Sequence, residues 1–487
     1  METSMKVPST KSGKGSIRLG LNLPMFVGAL IALFTGIFPG ILGVWLWGAW
    51  KIAVPVYIKV GHAHAAWWSV LILLAGFLLP ATLLKPAVKR FIIWTSITAV
   101  PLWMIALAAY SISKEARGVI APLSTGQEPN IEYLAYGTGI FVFEVWLFAA
   151  LAIVFLSALG VRIPRLSQEE LSVSQLDLMS EIEIPRKVFR LPLLFGGLGL
   201  LVGWAMTLLF LARGLPVKPS AIVQLHTHTL FFVVGFLITI IAIRSVGAGD
   251  RAFNLAYKLG VWGIPLIVGA WILFIALELP SLIHIVPALL YFAMLVVGWL
   301  ALWGKFGLRK SDEAHFEFTR GALIFLWGLM IALISVGPVI ATVWDTRPNL
   351  TVTFKQPEGI SYPGPYPDDY IGTAAVASSP RGLENLHLSP GSWSHVGIVW
   401  LLTLLLIGAQ MGKLIGKPTL IYLIVTTIVL APLFNAFGRF AAWAEFPAGI
   451  GGMWYAAHPL KFFNLIILGW VAWLMIRALK AKAPAGL

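Results

Sequence analysis

Two stretches of the chain carry ligand chemistry at matching spacing. His62-Ala63-His64-Ala65-Ala66-Trp67-Trp68 opens one apolar run, and His226-Thr227-His228-Thr229-Leu230-Phe231-Phe232 opens another. Neutral imidazole is a ligand for iron, copper and zinc. Two residues apart on a helix means roughly 200° of rotation, so the two rings of each pair point to nearly opposite faces. A single ion would prefer histidines three or four apart. Opposed histidines suit a helix standing between two sites, such as two haems or a haem and a metal.

The remaining chain must position these groups in a membrane. Its 487 residues are 59% hydrophobic and 11% charged, with a mean hydropathy of +0.86. A soluble protein has about 25% charged residues, so the expected class is an all-α integral membrane protein. Apolar runs long enough to cross a bilayer fall at about 22–48, 62–84, 91–112, 133–160, 191–212, 224–243, 259–278, 284–304, 321–344, 395–412, 418–438 and 458–477. These predict twelve helices in one membrane domain, 22–477, between a basic tail, 1–21, and a short tail, 478–487. The apolar stretch after the first tail lacks a small-residue cleavage site and reads as a first spanning helix.

The net charge of +14 comes from basic residues scattered singly over loops. It is a topology signal and excludes nucleic acid as a partner. With the N-terminus inside, 24 of the 35 Lys and Arg fall on inner segments, which places both termini in the cytoplasm of a cell expected to hold this protein in its plasma membrane. The inner polar loop 161–190 is expected to carry a short amphipathic helix. The outer loop 345–394 is rich in Pro, Tyr and Gly, with the dimensions to cover a cofactor or receive a partner.

On this topology seven of the nine histidines share one depth. His62 and His64, His226 and His228, His284, His395 and His458 lie at the outer ends of even-numbered helices. His387 is in the outer loop, and His315 is inside, expected to be solvated. Histidines within a membrane are costly and mark function by default, so the seven predict a metal or haem layer. With no cysteine in the chain, thiolate sites, iron–sulfur clusters and covalently attached haem are excluded. His64 and His228 are 164 residues apart, and His228 and His395 are 167 apart. Each interval covers four helices, which predicts three related four-helix units. In the third unit Trp393 stands where the first histidine would be.

Twelve helices, both termini inside and histidines on helices 2, 6 and 10 resemble the haem–copper oxidase superfamily. The His226-Thr227-His228 stretch is similar to the His-x-His helix of nitric oxide reductases. His62-Ala63-His64 is similar to that of NnrS-type haem–copper membrane proteins. The resemblance implies a b-type haem with bis-His ligation by His62 or His64 with His395, a second haem or copper, and an electron donor that is a cytochrome or a quinol. Oxygen or nitric oxide would be the acceptor, and additional membrane subunits are implied as partners beside the lipid bilayer. It also implies that Arg439, next to Trp443, pairs with haem propionates, with Arg213 and Arg347 as further candidates.

The departures are specific. Residues 259–278 hold no histidine, so the family's paired histidines on helix 7 are missing, and its copper-helix motif is absent. The expected forms are a divergent oxidoreductase with a rearranged site, or a protein that keeps haem for electron transfer alone. His226, His228, His284 and His458 are the candidates for the rearranged site. Glu144, inside helix 4, is the candidate for a proton route, and Glu278 and Glu445 for partners of ligand histidines. Two other readings remain open: a twelve-helix transporter using the histidines for cation or proton coupling, and a non-catalytic subunit of a larger membrane complex.

Overall fold

The computed structural model describes residues 15–50, 56–116, 131–213, 220–277, 281–311, 313–346, 380–443 and 453–481. Among them are twelve long helices: α1 (Leu23–Trp50), α2 (Val56–Leu78), α3 (Pro86–Ala116), α4 (Ile131–Leu159), α5 (Gly197–Arg213), α6 (Ser220–Ser245), α7 (Asp250–Leu277), α8 (Ile285–Leu302), α9 (Ala314–Thr346), α10 (Pro380–Ile415), α11 (Pro418–Trp443) and α12 (Met453–Ala481). Eleven are long and apolar enough to cross a membrane, and the Leu23–Phe38 part of α1 is apolar as well. A helix satisfies its own backbone groups, which is why apolar sequence of this length folds this way in lipid.

Three helices are the most buried of the eleven long spans. The apolar windows of α2 and α6 are each 78% buried and that of α10 is 67% buried, against 50% or less for the remaining spans. These are the helices that carry His62/His64, His226/His228 and His395. α2 packs on α1, α3 and α4; α6 packs on α5, α7 and α8; α10 packs on α9, α11 and α12. α10 also touches both α2 and α6, and α1 closes against α12.

Close approach is bought with small residues, as between membrane helices generally. A Cβ on Gly36 of α1 would stand 3.0 Å from the Cβ of Ala65 and 3.1 Å from the carbonyl of His62 on α2. A Cβ on Gly235 of α6 would stand 1.8 Å from the phenol oxygen of Tyr291 on α8.

Two expectations for the polar segments need correction. The loop 161–190 holds no amphipathic helix. It forms an extended strand, β2 (Asp177–Pro185), which pairs antiparallel with β1 (Ser16–Asn22), pairing Ile17 with Ile184 and Asn22 with Asp177. Within Asp177–Pro185 burial alternates, with Leu178, Ser180, Ile182 and Ile184 facing inward, which is strand period rather than helix period. The strand pair lies across the ends of α2, α6 and α10. The end of the basic tail is therefore a buried strand from Ser16, with Leu19 and Leu21 fully buried. At the other polar segment, α9 runs on to Thr346 and α10 begins at Pro380, so the outer connector is shorter than 345–394. His395 consequently lies well inside α10 rather than at its start.

Candidate functional site

Two glycine carbonyls set the first two histidines. His62 Nδ1 is 2.6 Å from the carbonyl oxygen of Gly36 on α1, and His226 Nδ1 is 2.6 Å from the carbonyl oxygen of Gly199 on α5. A carbonyl only accepts, so each ring donates Nδ1–H and keeps the lone pair on Nε2. Both contacts join the first histidine of a His-x-His pair to the helix just before it in the chain. Gly203, one turn beyond Gly199, leaves the space His226 fills: a Cβ there would be 2.5 Å from Cε1 of that ring.

The second member of each pair turns elsewhere, as the two-residue spacing predicts. His64 faces Trp103 of α3 at 5.7 Å between centroids and His226 of α6 at 5.9 Å, with the two imidazole planes 22° apart. His228 faces Trp271 of α7 at 5.4 Å. The same indole meets His284 at 4.0 Å, and His284 also meets Phe274. His284 closes a short turn, Ser281–His284, that leads into α8.

His395 is fully buried on α10. Its ring is 5.9 Å from Trp67 of α2 and 5.0 Å from Phe231 of α6, which themselves meet at 4.2 Å. Rings from all three central helices thus converge here. Trp393, two residues earlier on α10, is buried and lies under the ammonium of Lys461, whose Nζ is 3.9 Å from the indole centroid. Lys461 is 2% exposed. Its signal in the sequence is a lysine three residues after His458, inside the apolar run 458–477.

Glu144 accepts a hydrogen bond from Trp68 Nε1 at 3.2 Å and lies within electrostatic range of His226. Glu144 is therefore part of the histidine cluster between α2, α4 and α6. His315 differs from its expected solvated state: it is half-buried, with Nε2 3.4 Å from Glu313 and the ring lodged against Gly408 of α10. The side chains of His387, His458, Arg439, Trp443 and Arg213, and residues Glu278, Arg347 and Glu445, lie outside the described residues.

Among the described residues no three of His, Cys, Asp or Glu group so as to hold a metal ion by themselves. What the site offers is pairs of imidazoles. His64 and His226 bring two imidazoles to 5.9 Å between centroids, close enough to share one metal atom. A haem would need no more than two protein nitrogens, because the porphyrin supplies the other four. The donor set therefore fits haem better than a copper or zinc site made of protein ligands alone. No protein-family model matches the chain, and no curated protein matches it.

Proposed function

We propose that this chain is a haem-binding membrane oxidoreductase, or an electron-transfer subunit of a respiratory chain, with b-type haem held by a histidine pair between α2 and α6. One observation carries the reading. His62 and His226, at equivalent places on two helices, each give Nδ1–H to a glycine carbonyl at 2.6 Å and hold Nε2 ready as a ligand. A second hydrogen bond of this kind orients metal-binding histidines generally, fixing the tautomer and raising ligand basicity.

His64 and His226 would hold the haem, in place of His62 or His64 with His395. His395 is flanked by Trp67 and Phe231, which suit an aromatic bridge between two sites. His228 and His284, joined through Trp271, belong to a second haem or metal. Bound haem supplies a one-electron couple. The chain's own residues bind it, exclude water through the aromatic walls, and place Glu144 where it can exchange a proton near His226.

We read α2, α6 and α10, each packed on its own sequence neighbours, as the centres of three like four-helix units. We read the histidine layer as facing the outer side, with both termini cytoplasmic in the plasma membrane. A cytochrome or quinol is then the donor, and oxygen or nitric oxide the acceptor.

The test is a dithionite-reduced minus oxidised spectrum of protein expressed with ample haem and purified in detergent. Bands of b type are expected, and they should be lost in His226→Ala and His64→Ala. A protein without Soret absorption overturns the reading. Signal lost only in His395→Ala overturns the pairing and restores the α2–α10 assignment.

A further inference from the structure

The segment that follows α4 holds an arginine in a conformation arginine rarely takes. Arg165 has φ of 67° and, with the glycines set aside, is the sole positive-φ residue among those described. An L side chain in this region is crowded, and glycine is the residue that occupies it without penalty. Such an outlier persists only where the surroundings enforce it. Here they do. Ile163 N donates to Ser167 Oγ at 3.0 Å, Lys85 N donates to the carbonyl of Leu166 at 2.9 Å, and Gln168 N donates to the carbonyl of Leu83 at 2.8 Å. The loop is pinned to the start of α3.

The pinned loop is concave. Arg162, Arg165, Ser167, Gln168 and Glu169 line a cavity of about 250 Å³ together with Ile163 and Pro164. Among the described residues, neither arginine side chain has a hydrogen-bond or ion-pair partner, whereas Arg186 nearby is engaged with the carbonyls of Ser157 and Ala158 at the end of α4. The apolar spans begin or end right here: α3 from Pro86, α4 to Leu159, and the span leading into α5 from Arg186. Lys85 and Arg90 are exposed beside the loop. Phe91 and Trp94, in the first three turns of α3, are 48% and 64% exposed.

We propose that this loop binds the phosphate group of an anionic phospholipid, with Arg162 and Arg165 as its donors and the α3 surface under its acyl chains. Guanidinium presents paired N–H groups that match phosphate oxygens, which lysine does not. Glu169 at the rim works against a doubly charged ligand and favours the single charge of a phosphodiester. Basic pockets between helix ends at the membrane surface take such headgroups. The site is at the opposite end of the bundle from the histidines and is independent of what they bind.

The experiment is native mass spectrometry of the detergent-purified full chain titrated with phosphatidylglycerol, phosphatidylcholine or inorganic phosphate. Retention of phosphatidylglycerol over phosphatidylcholine is expected. The variant Arg162→Ala/Arg165→Ala should lose roughly thirtyfold in that retention, on the scale of two surface arginines. The variant Arg165→Gly keeps the loop conformation while removing the guanidinium, so it should lose retention with its thermal unfolding temperature unchanged or raised. Equal retention of both lipids, full retention by Arg165→Gly, or displacement of the lipid by inorganic phosphate at equal concentration overturns the proposal.

Discussion

Gly203 of α5 stands against the imidazole of His226 on α6, with no room for a methyl group between them: a Cβ would fall 2.5 Å from Cε1 and 2.7 Å from Nδ1. The same ring gives its Nδ1–H to Gly199, one turn earlier on the same helix. A small residue and a backbone carbonyl thus fix one side chain in place and in tautomer. The position of His226 is consequently a property of α5 as much as of α6.

Gly203→Ala should therefore displace His226. Overpacking of this kind typically costs about 1–3 kcal/mol, read as a lowered thermal unfolding temperature in detergent. The variant should also weaken the reduced-minus-oxidised b-type signal, while Gly197→Ala, where a Cβ meets nothing within 4 Å, should leave it intact. An unchanged signal in Gly203→Ala would show that the His226 ring can leave this pocket without consequence.

Tyr291 and Gly235 form a second tight contact, between α8 and α6. A Cβ at Gly235 would meet the phenol oxygen at 1.8 Å, with Cζ next at 2.9 Å. Gly235→Ala should destabilise the protein by about 1–3 kcal/mol. Tyr291→Phe should restore part of that loss in the double variant, because the nearest clashing atom is gone. The single Tyr291→Phe change should be mild, since the phenol's hydrogen bond to the Phe231 carbonyl is long at 3.4 Å. Thermal unfolding of the four proteins in a double-mutant cycle measures the coupling.

Asn22 joins the strand pair to the first helix. Its Nδ2 donates to Asp177 Oδ1 at 2.7 Å, and its Oδ1 accepts from Met25 N at 3.0 Å as the cap of α1. Asn22→Ala removes both bonds at a buried position and should cost about 1–2 kcal/mol. Asn22→Asp, which keeps the capping oxygen but places a carboxylate against Asp177, should also be unstable, whereas Asn22→Ser should recover the cap alone. Limited proteolysis within 161–176 should accelerate in the alanine variant if β1 and β2 separate.

Glu144 gives a test that separates structure from proton transfer. Glu144→Gln keeps an acceptor for Trp68 Nε1 and should change stability little. Glu144→Ala leaves a buried indole N–H without its partner and should cost about 1–3 kcal/mol. If the carboxylate exchanges a proton near His226, the midpoint potential of the haem couple should depend on pH in the wild type and lose that dependence in Glu144→Gln. Identical pH dependence in both proteins removes Glu144 from any proton route.

Much of the architecture is legible in the residues alone. Twelve apolar runs long enough to cross a bilayer become twelve helices because an isolated strand or loop cannot satisfy its backbone in hydrocarbon. The two-residue spacing of His62/His64 and His226/His228 sends each pair to different neighbours because helix rotation per residue is fixed. The polar segments are harder to read. Asp177–Pro185 becomes a strand because β1, some 155 residues earlier in the chain, offers the paired edge, and no local pattern announces a partner so distant. The early start of α10 is likewise beyond a hydropathy reading, since its first turns are polar helix with no need to lie in the bilayer.

Length and hydropathy along the chain are enough to specify eleven or twelve long apolar helices, and the two-residue spacing within His62/His64 and His226/His228 is enough to send the members of each pair to different neighbours. Those properties follow from length, hydropathy and helical geometry, which act along the chain. Only the tertiary structure decided which rings meet. His64 faces His226, His395 sits between Trp67 and Phe231, Trp271 joins His228 to His284, and Lys461 lies over Trp393. These contacts depend on which helices become neighbours and how closely glycines such as Gly36 and Gly203 let them approach. That is settled by packing between segments far apart in sequence, which no local pattern encodes.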